Sequence, residues 1–385
     1  MIIANQAKKI QSDLVEFRRK LHRHPEPSYK EVITSSLLID QIRTLGYSVR
    51  EKQRGMGVVA DLAPHHDEGF ILIRADMDSL PIQEESGEPF SSEIPNQAHL
   101  CGHDAHSTMA LGAARLLAEN KGNLRKNVRI VFQSAEEIPP GGALELIEAG
   151  ALQGVEEAYA LHVDPRIPTG QFGSRPGPMM ASVNEFQITI QGKGGHAAYP
   201  HLASDPIVAA SRLIVSLQEI VSRKLPPHEP GVVSVCEFHA GSTFNVIPDR
   251  AELRGTTRFY SKEWVEKAKD LIHEIAEGAC AGTGCQAEVE FLQGYPPLIN
   301  HVESIEKARE TLARVWSEDT YQEVELQGAG EDFARFLEKV PGCMLFIGIR
   351  NEQIGSTHFL HSPHFRLDED CLWRGAAFLA QLALK

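Results

Sequence analysis

The sequence predicts an α/β fold in which a smaller domain interrupts a larger one. In the larger part, helical and strand-like segments alternate, and near-continuous apolar runs such as 70–73 are typical of strands that helices cover on both faces. Residues 181–293 instead follow the order strand, helix, strand, strand, helix, strand, which is the βαββαβ order of the ferredoxin-like motif. We therefore predict one domain built from 1–180 and 294–385, with a second domain, 181–293, inserted into it.

The larger domain opens with an amphipathic helix that ends near Pro25. Its apolar residues recur at gaps of four, three and four positions: Ile10, Leu14, Phe17 and Leu21. Apolar runs then predict strands at 70–73, 128–132 and 158–161. A connector rich in proline and glycine, at 165–178, indicates the boundary with the inserted domain.

The inserted domain begins with a strand of alternating character. Phe186, Ile188 and Ile190 alternate with polar residues, which indicates one buried and one solvated face. The elements expected after it, in chain order, are a helix from about 205 to 223, strands near 231–239 and 249–259, a helix from 261 to about 277 and a strand near 286–292. The α/β pattern then resumes with a helix after His301, a strand at 344–349 and a closing helix from Asp368.

Composition and charge narrow the class of protein. The 385 residues are 42% hydrophobic and 23% charged, as in an ordinary soluble globular protein. The net charge of −14, without a run of Lys or Arg, argues against a nucleic-acid partner and against binding to anionic membranes. The first residues do not resemble a secretory signal, and no stretch approaches the length of a membrane span. We therefore expect a cytoplasmic protein.

Six cysteines are spread along the chain without a C-x-x-C pair, which indicates neither a disulfide framework nor a zinc ribbon. One of them belongs to the densest group of chemically active side chains in the sequence. Cys101, His103, Asp104 and His106 lie within six residues. Sulfur and imidazole ligands favour Zn²⁺, Mn²⁺ or Co²⁺ over Mg²⁺ or Ca²⁺, which prefer oxygen.

Further ligands must come from elsewhere, and three segments that follow predicted strands offer them: Glu136 with Glu137, His162 and His361. In open α/β sheets, ligands bind outside the carboxyl ends of the strands, so these residues have a common place to converge with Cys101 and His103. Adjacent side chains of an extended segment point to opposite sides. One of the two glutamates can therefore bind metal while the other contacts the attacking water as a general base.

Several neighbouring residues have structural alternatives. Asp76 and Asp78 could cap turns, although we favour Asp76 as the group that orients a ligand histidine. Asp104 fits the N-cap of a helix better than a ligand, and His106 could face away from the metal. Glu331 is either an exposed charge or a hydrogen-bonding group near the site. Of the 17 histidines, most are expected to be ordinary surface or hydrogen-bonded residues.

The chain resembles a family of di-metal amidohydrolases within the aminoacylase and carboxypeptidase superfamily. That family contains bacterial hippurate hydrolases, N-acyl-amino-acid amidohydrolases, N-acetyl-diaminopimelate deacetylases and plant auxin-conjugate hydrolases. The resemblance covers nearly the whole chain. It rests on motifs that occur in a fixed order: RADMDSLPI, CGHDAH, AEE, ALHV, GKGGHAAYPH, FNVIPDRAELRGTTR, GEDF and LHSPHF.

The resemblance implies a catalytic domain that holds two divalent ions per subunit (Zn, Mn, Co or Ni), and an inserted lid domain that also forms a homodimer or a higher oligomer. It implies that Cys101 bridges both ions, that Glu137 and His361 bind one of them, and that His103 and His162 bind the other. It assigns the general base to Glu136. His196 would enter the active site of the neighbouring subunit. Asn245 and Arg258 would contact the bound acyl-amino acid.

Three activities remain open from the sequence. The leading one is hydrolysis of N-acyl-amino acids, N-acetyl or aromatic acyl, to a carboxylic acid and a free amino acid. The second is an exopeptidase or dipeptidase that uses the same metals. The third takes His103-Asp104 as the core of a metal-dependent phosphohydrolase, which the many strand signals disfavour because that family is all-helical. A binding protein without catalysis is disfavoured by the paired glutamates Glu136 and Glu137.

Overall fold

The computed structural model describes residues 2–50, 57–65 and 68–385. The helices are α1 (Ile2–Lys9), α2 (Gln11–Arg23), α3 (Val32–Thr44), α4 (His103–Glu119), α5 (Gly142–Glu148), α6 (Pro206–Leu217), α7 (Lys262–Cys280), α8 (Val302–Val315), α9 (Ala334–Leu337) and α10 (Cys371–Ala383). None of these described helices combines the length and the apolar run that crossing a bilayer requires.

The strands complete the α/β pattern. They are β1 (Ser48–Arg50), β2 (Val58–Leu62), β3 (Phe70–Asp76), β4 (Asn127–Gln133), β5 (Val155–Pro168), β6 (Phe172–Ser174), β7 (Gly177–Met180), β8 (Val183–Gln191), β9 (Gly195–His196), β10 (Gly231–Ala240), β11 (Val246–Ile247), β12 (Arg250–Phe259), β13 (Gln286–Tyr295), β14 (Leu298–Asn300), β15 (Tyr321–Glu323) and β16 (Gly342–Arg350).

The chain divides into two compact units. The larger unit contains Met1–Gly177, Ile299–Glu325 and Asp332–Lys385, and the smaller unit contains Pro178–Leu298 and Leu326–Glu331. The segment 181–293, expected as an insertion, lies inside the smaller unit. The short segment 326–331, which the sequence placed with the larger domain, is grouped with the smaller unit.

The larger unit is built around a mixed sheet. Within the described residues, eight strands form it in the order β1-β2-β4-β3-β5-β16-β6-β15. Its centre is parallel, because β3 pairs in parallel with β4 and β5, and β5 pairs in parallel with β16. Residues 71–76 of β3 and all of β4 are buried, as expected for strands covered on both faces. The carboxyl ends of these parallel strands therefore meet at one edge.

The smaller unit has the ferredoxin-like arrangement. Four antiparallel strands follow the order β10-β12-β8-β13, and α6 and α7 are the helices of its βαββαβ succession. Phe186, Ile188 and Ile190 of β8 are buried in its apolar core, while the residues between them are more exposed. The prediction of one buried and one solvated face for β8 is confirmed.

The predicted opening helix is α2, and α1 precedes it as a helix that the sequence did not predict. One local expectation was wrong. His162 lies inside β5 and not beyond its end, because β5 continues to Pro168, paired in parallel with β16. The apolar run 158–161 marked only the middle of this strand, since its later residues include Asp164, Pro165 and Arg166, which do not read as strand formers.

Candidate metal centre

Close backbone contacts hold the segment 101–103, strand β5 and the loop around His361 together at the candidate site. His103 opens α4, directly after Gly102, which has a φ of 85°. A Cβ atom at Gly102 would lie 2.5 Å from Cγ2 of Val163, so glycine is required there for both the backbone conformation and the close approach to β5. The backbone N–H of His361 donates to the carbonyl of Leu100 at 2.9 Å, which places the 361 loop beside Cys101.

The five residues predicted as ligands come together in two overlapping groups. Cys101, His103 and His162 offer ligand atoms that all lie within 4.8 Å of one another, and so do Cys101, Glu137 and His361. Sγ of Cys101 lies 3.4 Å from Nε2 of His162. Nε2 of His361 lies 3.3 Å from Oε1 of Glu137. Cys101 is therefore the member that the two groups share.

The residues present fit cations at this place. Nε2 of His103 and Oε1 of Glu137 are buried, have no hydrogen-bond partner among the described residues, and lie 3.8 Å apart. Such buried atoms without a partner are costly unless something binds them. Glu136, which is 7% exposed, forms a further group of potential ligand atoms with His103 and Glu137.

Two of the histidines are turned so that Nε2 faces the cluster. Nδ1 of His103 lies 3.0 Å from Oδ1 of Asp78, and Nδ1 of His162 lies 2.8 Å from the carbonyl of Val163. Each Nδ1–H can donate to its oxygen, which leaves Nε2 as the lone-pair nitrogen that a metal requires.

The choice of Asp76 as the residue that orients a ligand histidine was wrong in detail. Oδ1 of Asp76 lies 2.6 Å from Nδ1 of His106 but 3.8 Å from Nδ1 of His103. Asp78 is the closer partner of His103, and its Oδ2 also accepts the N–H of Glu137 at 3.0 Å. The sequence did not show which aspartate contacts His103, because the two lie only two positions apart at the end of the same strand.

The carboxylates set the electrostatics of the cluster. Burial raises the pKa of the Cys101 thiol well above its usual range, and the negative charges of Glu137, Glu136 and Asp76 raise it further. Burial alone would lower the pKa of His103, but Asp76, Asp78 and Glu137 raise it to about 10. The site therefore favours positive charge, and cations would offset the carboxylates and favour the thiolate.

A family model described as Peptidase family M20/M25/M40 matches residues 72–385. This chain belongs to that family. N-acetylcysteine deacetylase of Bacillus subtilis (strain 168) is 39% identical over 376 residues, covering 96% of each protein. Thermostable carboxypeptidase 2 of Saccharolobus solfataricus is 38% identical over 389 residues, covering 100% of this chain and 98% of that protein.

A solved structure of the same family has a similar fold. The Bacillus subtilis YXEP protein, described as a dinuclear metal binding peptidase from the M20 family, is 36% identical, has a TM-score of 0.87 and is covered over 98% of both chains. The family resemblance and the fold class predicted from the sequence are therefore confirmed. This M20-family chain is a hydrolase of amide bonds.

The loop that carries Glu136 and Glu137 differs from the expected extended strand end. Strand β4 ends at Gln133, and Ala135 has a φ of 53°, so the chain bends before it reaches the glutamates. The simple alternation of adjacent side chains does not apply there. The N–H groups of Ala135 and Glu137 instead donate to two buried carboxyl groups, those of Glu31 at 2.8 Å and of Asp78 at 3.0 Å.

Asp104 has a structural role, as expected, but it is not the N-cap of α4. It is fully buried inside the first turn of α4, where Gly102 and not Asp104 is the N-cap residue. Its Oδ2 lies 2.8 Å from both Nε of Arg18 and Nδ1 of His22, while Nε2 of His22 lies 3.2 Å from Oε1 of Glu84. In this M20-family chain, an ion-pair network with α2 thus holds the start of α4 in place.

Three predicted site residues lie in the smaller unit. His196 and Asn245 are exposed neighbours there, since His196 pairs with Val246 across β9 and β11, and the N–H of Ala197 donates to the carbonyl of Asn245 at 3.1 Å. Arg258 lies apart from them on β12, where its Nε donates to the carbonyl of Gly328 at 3.1 Å. Glu331 is 1% exposed in the same unit. The catalytic and substrate-binding roles of these residues remain predictions.

Proposed function

We propose that this M20-family chain hydrolyses the amide bond of N-acyl-amino acids, with an N-acetyl or an aromatic acyl group, to a carboxylic acid and a free amino acid. The observation that carries the proposal is the pair of ligand groups that share Cys101, with Glu136 beside them. A relative named N-acetylcysteine deacetylase, similar over almost the whole chain, supports this class of substrate.

The proposed cofactor is a pair of divalent ions per subunit. Cys101 would contact both, Glu137 and His361 would hold one, and His103 and His162 the other. The mixture of sulfur, imidazole and carboxylate favours Zn, Mn, Co or Ni over Mg or Ca. When bound, such ions lower the pKa of water and polarise the amide carbonyl.

The protein would move the proton through Glu136. As general base, its carboxylate takes a proton from the attacking water, and as general acid it then gives that proton to the leaving nitrogen. A buried position suits this role, because a carboxyl group shielded from bulk water keeps the proton for the leaving group. Glu137, its sequence neighbour, would instead remain a metal ligand.

The smaller unit would complete the active site and join subunits as a homodimer. His196 would stabilise the oxyanion in the partner's site, and Asn245 and Arg258 would bind the substrate carboxylate and amide. Two features support pairing through this unit. Strand β10 lies at an edge of its sheet, and α6 exposes Val208 and Val215.

We also propose a cytoplasmic location. All six cysteines are free thiols, as expected in a reducing compartment. The five other than Cys101 have no role in the proposed metal centre.

The second candidate is an exopeptidase or dipeptidase that uses the same metal centre. A relative named thermostable carboxypeptidase 2, similar over the whole chain, supports it. The two candidates differ in the group on the acyl side of the scissile amide. A dipeptide places a charged amino group there, whereas an N-acyl-amino acid does not.

A substrate comparison tests the proposal. The protein is freed of metal with a chelator, loaded with each divalent ion in turn, and supplied with N-acetyl-amino acids, N-benzoyl-amino acids and dipeptides at matched concentrations. Higher kcat/KM for N-acyl-amino acids supports the proposed function. A strong preference for dipeptides supports the exopeptidase instead. Glu136→Gln is the control for contaminating hydrolases.

A further inference from the structure

Glu31 occupies the N-cap position of α3, but its side chain makes no cap hydrogen bond with that helix. Glu26 instead accepts hydrogen bonds from backbone N–H groups in the first turn of α3. Oε1 and Oε2 of Glu26 accept the N–H groups of Ile33 at 3.0 Å and Thr34 at 2.8 Å. The carboxyl group of Glu31 is therefore available for another contact.

That contact lies 104 residues along the chain, in the loop that carries the two glutamates of the metal centre. Oε1 of Glu31 accepts the backbone N–H of Ala135 at 2.8 Å. Glu31 is 0% exposed, and burying a carboxyl group is costly unless it forms hydrogen bonds. Ala135 has a φ of 53°, which a residue other than glycine adopts only when surrounding contacts hold it.

A second buried carboxylate holds the same loop from the other side of Glu136. Oδ2 of Asp78 accepts the N–H of Glu137 at 3.0 Å and the hydroxyl of Ser28 at 2.6 Å. The N–H groups of Ala135 and Glu137, the residues on either side of Glu136, thus each donate to a buried acid. One of those acids is Glu31 itself, and the other is bonded to Ser28, three residues earlier in the same loop before α3.

We propose that Glu31 is a positioning residue for Glu136. By holding the N–H of Ala135, it keeps the left-handed bend that aims the Glu136 carboxylate at the attacking water. The inference rests on the proposed function in one respect, namely that Glu136 is the general base. Proton transfer of this kind needs heavy atoms within hydrogen-bond reach, and a displacement of about 1 Å can reduce the rate by about 100-fold.

The chemistry of Glu31 provides a matched set of variants. Burial raises the pKa of Glu31 to about 8, so the neutral form predominates at pH 7. Glu31→Gln therefore keeps both an uncharged side chain and an acceptor oxygen. Glu31→Met removes the acceptor at nearly constant volume. Glu31→Asp keeps the acid but is one methylene too short to reach Ala135.

Glu157 supplies the control for general loss of stability. It is also buried, at 8% exposure, and bonds Tyr159, Arg125 and Lys307. It precedes His162 by five positions on β5, or about 16 Å at the usual rise of a strand. Glu157→Met should therefore lower thermal stability without changing kcat.

The test combines steady-state kinetics, metal analysis and amide hydrogen exchange on the full-length protein. We expect Glu31→Met and Glu31→Asp to lower kcat by about 100-fold with little change in KM and with the metal content of the wild type. The Ala135 amide should exchange faster in both variants. Glu31→Gln should match the wild type in all three measurements.

Several outcomes would overturn the proposal: an unchanged kcat in Glu31→Asp, a loss in Glu31→Gln equal to that in Glu31→Met, or a loss of kcat that is matched by loss of metal. If Glu31→Met does not fold, the same three measurements on Glu31→Asp and Glu31→Gln still test the proposal. A wild type that hydrolyses no N-acyl-amino acid would refute the proposed function alone, because the exchange rate of the Ala135 amide reports on Glu31 independently of turnover.

Discussion

Asp78 and His103 form a buried pair at the candidate metal centre, with Oδ1 of Asp78 3.0 Å from Nδ1 of His103. The opposite nitrogen of the same ring, Nε2, lies 3.8 Å from Oε1 of Glu137. The aspartate thus fixes the ring orientation and the tautomer that a ligand histidine needs. Asp78 also holds the N–H of Glu137, so one carboxylate orders two of the proposed ligands.

Replacing Asp78 with Ala should weaken metal binding by about 10- to 100-fold, because the ring of His103 and the backbone of Glu137 both lose their partner. Titration against a chelator of known affinity measures the change. Asp61→Ala is the control, since Asp61 pairs with Arg129 on a neighbouring strand. An unchanged metal affinity in Asp78→Ala would show that the pair does not organise the site.

Glu136→Gln should keep the full metal content and lose about 100- to 10,000-fold in kcat, because an amide cannot accept and return the proton. Glu137→Gln should instead lose metal. Metal analysis and kinetics on the two variants separate the roles. Metal loss in Glu136→Gln with retention in Glu137→Gln would mean that the two glutamates exchange roles.

His196→Ala should keep its metal and its oligomeric state but lose activity, because the oxyanion loses a donor. The cross-subunit role is tested by mixing this variant with Glu136→Gln under conditions that allow subunits to exchange. Mixed dimers contain one site with both functional groups, so activity should reappear. Failure of any mixture to regain activity, with exchange shown by mass, argues against a contribution in trans.

The lowered pKa of Glu84 predicts that the stability of the fold depends on pH. Burial alone would raise its pKa, but His22, Ser86 and the N–H of Ser92 lower it to about 2. A carboxylate with a lowered pKa stabilises the fold above the unfolded value of about 4.3, and that contribution is lost as the pH falls toward the folded value.

Glu84→Gln should therefore lower the free energy of unfolding by about 2 kcal/mol at pH 6, and the difference from the wild type should shrink as the pH falls below about 4. Urea unfolding of both proteins without metal measures it. The neighbouring exposed Glu85 gives the control variant, Glu85→Gln. A difference that stays constant down to pH 2.5 contradicts the assignment.

The sequence predicted the parts of the site that depend on local pattern. The buried runs of β3 and β4 placed Asp76, Asp78 and the two glutamates at one edge of the sheet, because carboxyl ends of parallel strands meet there. It did not predict which aspartate contacts which histidine. That depends on the rotation of α4 relative to β3, which no spacing within either segment encodes.

Contacts between distant segments account for the other omissions. In the sequence, Glu31 looks like an ordinary acid before a helix. Its partner is the backbone N–H of Ala135, and a residue type does not reveal a contact made by a backbone group. His22 reads as part of a solvated helix face, yet it lies buried against Asp104, 82 residues later. One signal for the role of Glu31 was available in the sequence. Glu is an unusual residue at an N-cap, where Ser, Thr, Asp and Asn are preferred.

The number and position of bound ions test the central claim most directly. Crystals of the protein grown with Mn²⁺ or Zn²⁺ would be measured by anomalous diffraction at the metal edge. We predict two anomalous peaks per subunit, both within bonding distance of Sγ of Cys101, and neither peak in Cys101→Ala, with Cys236→Ala as the control. A single peak, or two peaks of which one does not contact Cys101, would contradict the shared thiolate on which the proposed centre is built.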